Sequence, residues 1–213
     1  MKHLLIVGAR GWGREVYFGA KLSDAYCRGE FDIKGFLDSK ADAFDGLKGD
    51  YPPIICSPED YQIQPDDVFF IAMGDPKWRR HYAELIEQKG GRFLTIIENS
   101  AQVNPTSTIG DGSYIGRWSF VSDNVHIGKH VAIFGLCTLG HDSKVSDYST
   151  LSSNVFLGGY AEVGEMSTMN PKSVIIRHKK IGNNVTVGTA SVVIRSVKDG
   201  LSVFGNPAKK LDI

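Results

Sequence analysis

The sequence predicts an α/β domain of Rossmann type followed by a parallel β-helix, and three observations carry that reading. An aliphatic residue recurs at every sixth position from Val103 to Val193, sixteen times without an insertion. The position after it is glycine in eight of those sixteen hexads, for example Gly110, Gly140, Gly158 and Gly188. Residues 1–98, by contrast, alternate short apolar runs with helical stretches, the pattern of a parallel sheet covered by helices.

In the N-terminal part, Leu4–Val7 reads as a buried strand. It leads through the loop Gly8, Ala9, Arg10, Gly11, Trp12, Gly13 into a helix expected from Arg14 to about Ala25. Phe31–Leu37 makes a second strand ending at Asp38, and Ile54–Cys56 a short third. Ser57-Pro58-Glu59 has the form of a helix N-cap with proline in the first turn. Val68–Ala72 makes a fourth strand, passing through Met73-Gly74-Asp75 into a helix from about Lys77 to Lys89; Arg92–Ile97 makes a fifth. The boundary is expected between residues 98 and 99, where the six-residue register begins.

A period of six has a narrow physical meaning. Each hexad is one short strand plus a corner, and three hexads make one triangular coil of eighteen residues. The aliphatic residue fills the interior. Four positions later the residue is small in every hexad except at Lys179, as a crowded corner requires. Glycine is expected to serve the backbone angles of the corner, and stacked coils should pair in parallel about 4.8 Å apart. A helix or a two-residue alternation would shift the period toward 3.6 or 2, and it holds at six.

Charge and composition exclude several function classes. Lys+Arg and Asp+Glu both number 24, so no basic surplus supports nucleic-acid binding. No apolar run approaches the ~20 residues of a membrane-spanning helix. The start of the chain has too short an apolar run for a signal-peptide core. Three widely spaced cysteines, Cys27, Cys56 and Cys137, suggest reduced thiols, and a cytoplasmic location is expected.

Two constellations carry chemistry. The glycine loop sits where a strand end opens a helix N-terminus, a place that can hold a phosphate, and Asp38 is placed to accept from a ribose or sugar hydroxyl. The same glycines could simply pack helix against strand, and their spacing is not the G-x-G-x-x-G of dinucleotide oxidoreductases. In the repeat, His141 follows a turn glycine, and adding one coil of eighteen lands on Gly159. The two should stack in adjacent coils, an imidazole for proton transfer beside a backbone N–H able to steady an oxyanion. Asp142 would orient the imidazole. The other reading is a polar corner residue on the surface. Cys137 occupies a small interior position and reads as packing. His126, His130 and His178 read as exposed polar positions whose spacing suggests no shared metal, so no metal is expected.

With Gly8–Val16, Gly35–Asp38, Ala72–Asp75 with Arg79, Gly140-His141-Asp142, Leu157–Gly159 and Gly205–Lys209 together, the chain resembles the hexapeptide-repeat sugar O- and N-acetyltransferases of the sialic-acid and bacillosamine type. The resemblance covers nearly the whole chain. It implies a left-handed β-helix, a homotrimer with sites between neighbouring subunits, a nucleotide-linked sugar held by residues 1–98, and acetyl-CoA held by residues 99–213. It implies His141 and Asp142 as the catalytic pair, with Gly159 as oxyanion donor. Gly8 to Gly13, Asp38 and Gly74 would form the sugar-nucleotide cradle. Gly188, Thr189 and Ala190 would lie along the pantetheine, and Pro207 and Lys209 would cover the adenine and phosphate end, where a solvated basic terminus is the other reading. Three departures stand out: Trp12 where several relatives carry histidine, Glu98-Asn99 in place of His-Pro, and Met169–Lys172 in place of a glycine-rich turn. The expected reaction is direct acetyl transfer to an amino group in bacterial surface glycan biosynthesis. A sialic-acid-type O-acetyltransferase and a non-catalytic, nucleotide-sensing trimeric scaffold are the alternatives.

Overall fold

Leu4, Leu5, Ile6 and Val7 are wholly buried because their strand lies in the interior of a sheet, with neighbours on both sides. That strand, β1 (Lys2–Val7), pairs in parallel with β2 (Phe31–Leu37) and β4 (Asp67–Ile71), and β3 (Ile54–Cys56) adds to β2. The order is β3-β2-β1-β4. The computed structural model describes residues 1–211, and the chain divides into two units, Met1–Glu98 and Asn99 onward.

Three expectations for the first unit are corrected. Helix α1 (Gly11–Lys21) starts three residues earlier than expected and ends four sooner; a one-turn α2 (Asp24–Cys27) follows, capped by the Ser23 hydroxyl accepting from the Tyr26 N–H. Leu22 and Ser23 break the helix: Ser23 Oγ also donates to the Ala20 carbonyl and so competes for the backbone at the helix end. Ser57 caps only one turn, its hydroxyl accepting from the Asp60 N–H, and no helix follows. The fifth strand shrinks to a bridge between Phe69 and Phe93, with Ile96–Ile97 a separate short strand. Helix α3 (Pro76–Gln88) has Asp75 as N-cap, its carboxylate accepting from the Lys77 N–H at 2.8 Å, with Pro76 in the first turn.

The second unit is a parallel β-helix, left-handed in type, whose two-residue strands pair with strands eighteen residues away: Thr138 with Phe156, Leu139 with Leu157, Lys144 with Glu162. The hexad aliphatics from Ile115 to Val193 are all buried. The small position is serine so often because it joins coils: Ser113 Oγ donates to the Gly128 carbonyl at 2.8 Å and accepts from the Val131 N–H at 2.9 Å. Ser149 and Ser167 donate in the same way to the carbonyls of Gly164 and Gly182.

The hexad glycines have a different reason from the one expected. The left-handed backbone falls two positions after them, at Gly112 and then on an unbroken series of non-glycine residues from Trp118 to Ala190 that includes Asn124, Asp142, Tyr160 and His178, with φ of 53°, 58°, 60° and 59°. The glycines instead let coils approach: a Cβ on Gly140 would sit 2.7 Å from the Gly159 nitrogen and 2.9 Å from the Leu157 oxygen. Met169–Lys172 keeps the coil despite its departure, with Met169 buried and the Lys172 N–H bonded to the Ser153 carbonyl at 3.0 Å.

The three flat sides differ chemically. One carries Thr108, His126, Lys144, Glu162 and Lys180, and a second Tyr114, Ala132 and the threonines 150, 168 and 186. The third carries Phe120, Phe156, Val174 and Val192, with both phenylalanines exposed.

Candidate functional site

In the β-helix the site grows from one corner. Coil stacking places Asp123, His141, Gly159 and Arg177 in one column and Asn124, Asp142, Tyr160 and His178 in the next. His141 Nδ1 lies 2.8 Å from Asp142 Oδ2. An ionised carboxylate only accepts, so the proton sits on Nδ1 and leaves Nε2 as the acceptor. The imidazole is 56% exposed, open to a substrate. Asn124 Nδ2, one coil earlier, donates to Asp142 Oδ1 at 2.8 Å. Hydrogen bonds from Asn124, then His141, then Tyr160 hold the Asp142 carboxyl below its ordinary range, so it stays an anion beside the imidazole.

Gly159 lies against the imidazole face: a Cβ there would come 2.7 Å from His141 Nε2. The Tyr160 N–H bonds back to the His141 carbonyl at 3.0 Å and the Gly159 carbonyl accepts from His178 at 3.1 Å, whereas the Gly159 N–H donates to no group among the described residues. The Tyr160 ring meets the His141 ring edge-on at 5.2 Å and stacks on His178 at 4.8 Å and 9°. Sequence reasoning missed Asn124 and Tyr160, although the eighteen-residue register that pairs His141 with Gly159 also pairs Asn124, Asp142 and Tyr160.

The remaining repeat residues resolve differently. Gly188, Thr189 and Ala190 form a corner at the other border of the face that carries Phe120 and Phe156, and Phe204 covers Gly188. Pro207 lies in the turn between Ser202–Phe204 and Lys209–Lys210, which pair antiparallel; Lys209 is exposed. His130 corrects the expectation of an exposed residue: it is buried and stacked on Tyr148 at 5.2 Å and 6°, in space left by the missing side chain of Gly112. Cys137 is buried, its thiol donating to the Ser152 carbonyl at 3.1 Å; burial pushes its pKa up to about 12, which leaves no thiolate. Among the described residues, no group of three or more His, Cys, Asp or Glu could hold a metal ion, and no helix is long and apolar enough to cross a membrane.

In the first unit, a cleft of about 360 Å³ opens at the carboxyl ends of the strands, where open α/β sheets bind ligands. Gly8, Arg10 and Asp38 line it, with Ala72, Trp78 and Tyr82. Gly8 has a φ of 102°, and the Ala9 N–H donates to Asp38 Oδ2 at 2.8 Å, which ties the loop to the end of β2. The two glycine readings separate by residue. A Cβ on Gly13 would run into the Gly8 carbonyl, so Gly13 packs the helix on the strand; Gly11 has open space around it and sits in the first turn of α1. Trp12 does not line the cleft: its indole meets the Phe70 ring edge at 5.8 Å and the Arg79 guanidinium at 5.6 Å. Gly74 is outside the lining too; buried Arg79 donates to the carbonyls of Met73 at 2.7 Å and Gly74 at 3.3 Å and fixes that turn.

Comparison with known proteins adds to this geometry. Residues 3–86 match the PglD N-terminal domain family. Over 117 residues the chain is 33% identical to UDP-N-acetylbacillosamine N-acetyltransferase of Bacillus subtilis, a stretch covering 54% of this chain and 51% of the relative, about half of each. Among solved structures, the acetyltransferase domain of PglB from Neisseria gonorrhoeae is 26% identical, with a TM-score of 0.86 over 99% of this chain and 100% of that one. It is also known in complex with acetyl coenzyme A, with a TM-score of 0.85. A mutant of perosamine N-acetyltransferase from Caulobacter crescentus, in complex with CoA and GDP-perosamine, shares the fold at 21% identity, with a TM-score of 0.88 over 100% of this chain and 98% of that one.

Proposed function

We propose that this chain, which falls with the hexapeptide-repeat sugar N-acetyltransferases in sequence and fold, transfers an acetyl group from acetyl-CoA to an amino group of a nucleotide-linked sugar. The observation that carries the reading is the arrangement at one corner: Asp142 on Nδ1 of His141, and Gly159 close against Nε2, with an N–H that donates to no group among the described residues. That is a general base beside an oxyanion donor, the equipment for attack on a thioester.

In this mechanism the amine nitrogen attacks the thioester carbonyl while Nε2 of His141 takes the amine proton. Asp142 steadies the imidazolium that forms. The carbonyl oxygen gains negative charge, which the Gly159 N–H stabilises. Collapse breaks the carbon–sulfur bond, and the imidazolium returns its proton to the departing CoA sulfur. No acyl-enzyme forms, consistent with the inert Cys137 thiol.

The N-terminal cleft holds the nucleotide sugar, with Arg10 and the first turn of α1 toward the diphosphate and Asp38 toward a hydroxyl. Gly188 to Ala190, Pro207 and Lys209 contact the CoA arm and its phosphates. Exposed Phe120 and Phe156 support assembly as a homotrimer. We place the enzyme in the cytoplasm, in bacterial surface glycan synthesis.

The test is free CoA release from acetyl-CoA with a panel of nucleotide sugars, with and without an amino group. Release confined to an amino-sugar nucleotide supports the reading. Release with a free sugar instead would move the chain to O-acetylation of free sugars, and failure to bind acetyl-CoA would refute the enzyme reading.

A further inference from the structure

The cleft of the first unit has a wall that the glycine loop does not account for. Trp78 stands in the first turn of α3 and lines the cleft, yet the residue is left 55% exposed. Tyr82, one helical turn on, lines the same cleft, and its ring lies nearly parallel to the indole, with centroids 6.2 Å apart and 30° between planes. His81 braces the indole edge-on at 5.6 Å. Burial, then the neighbouring Glu59 charge and a hydrogen bond to it, push the Tyr82 phenol above its ordinary pKa, so the ring stays neutral. The result is a braced aromatic surface, open to solvent, in the cleft that also holds Gly8, Arg10 and Asp38.

Resting on the nucleotide-sugar reading above, we propose that Trp78, backed by Tyr82, is the stacking platform for the nucleobase. The cleft divides its chemistry accordingly. Arg10 and the helix N-terminus supply charge and N–H donors suited to a diphosphate. The aromatic pair supplies a flat apolar face, and every nucleobase presents a π-face to such a surface. Trp78 therefore sets affinity for the nucleotide and leaves the choice among bases to the polar groups at the rim, Ser39 among them.

The test is calorimetric titration of UDP, GDP and dTDP into the full chain, as wild type, Trp78→Phe and Trp78→Ala. Trp78 is exposed, so circular dichroism should show both variants folded. The diphosphate that binds wild type best should weaken about tenfold or more with Trp78→Ala and only a few-fold with Trp78→Phe, while acetyl-CoA affinity is unchanged. Wild-type affinity in Trp78→Ala overturns the proposal and leaves the substrate reading intact. Failure of the wild type to bind any nucleoside diphosphate overturns the substrate reading and this proposal with it.

Discussion

Gly159 lies so close beneath His141 that one added methyl group would stand 2.7 Å from Nε2, the nitrogen left free by the bond from Nδ1 to Asp142. The Gly159 backbone is not in the left-handed region, so alanine fits the main chain and the imidazole must give way. Gly159→Ala should therefore lower kcat about a hundredfold and move Tm little, because the side chain that yields is exposed. Steady-state kinetics and a thermal melt check both halves. A large loss of Tm would mean that the glycine serves coil packing instead.

Asn124 contributes the first of the hydrogen bonds that keep Asp142 ionised. Removing it in Asn124→Ala should raise the Asp142 carboxyl pKa toward the ordinary value, read by NMR titration of its carboxyl carbon. The sign follows from linkage: a depressed carboxyl adds stability above its unfolded pKa, lost as pH falls through the folded value. The variant should therefore feel acid at a higher pH than wild type. An unmoved titration would remove Asn124 from the site.

The three thiols should separate by burial. Cys27 is exposed, Cys56 intermediate and Cys137 buried, its pKa pushed up to about 12 by desolvation. A thiol reagent at pH 8 should modify Cys27 first and Cys137 only after unfolding. Rapid loss of Cys137 in the folded protein would contradict the inert interior position and reopen a covalent route.

A part-buried ion pair ties strands of the first unit together. Lys34 donates to Asp67 at 2.7 Å and to the Tyr61 hydroxyl at 2.7 Å, and the Asp67 side chain is wholly buried. Burial by itself would push the Asp67 carboxyl up; Lys34, the Gln64 N–H and Tyr61 outweigh it and hold it below its ordinary pKa. Its contribution is present above about pH 4 and is lost as pH falls through the lowered value. Lys34→Met should cost about 3 kcal/mol in urea unfolding at pH 7 and shift acid unfolding to higher pH. Equal stability would show the charge to be satisfied by Tyr61 and Gln64 alone.

The β-helix was legible because its signal is long-range and periodic. The interior position admits only apolar side chains, so a six-residue rhythm survives every corner, and the pairing of His141 with Gly159 follows from it. The reason for the glycines was not legible. Which residue of a corner takes the left-handed backbone depends on how coils approach: Asn124 and His178 are types that tolerate it, but Trp118, Leu136, Tyr160 and Met166 take it as well, so residue type alone does not mark the position. The first unit was readable where strands are buried on both sides, as in Leu4–Val7. It was less so at Arg92–Ile97, where pairing depends on whether the Phe69 edge is continued. The aromatic wall at Trp78 was invisible, because a tryptophan in a helix reads as core until the cleft beside it is seen.

The central claim is that His141 is the base for acetyl transfer, and His141→Ala tests it most directly. With acetyl-CoA and the amino-sugar nucleotide that supports turnover in the wild type, CoA release should fall about 10²–10⁴-fold, with acetyl-CoA binding unchanged by calorimetry. Wild-type turnover in His141→Ala would contradict the account and place the chemistry elsewhere in the chain.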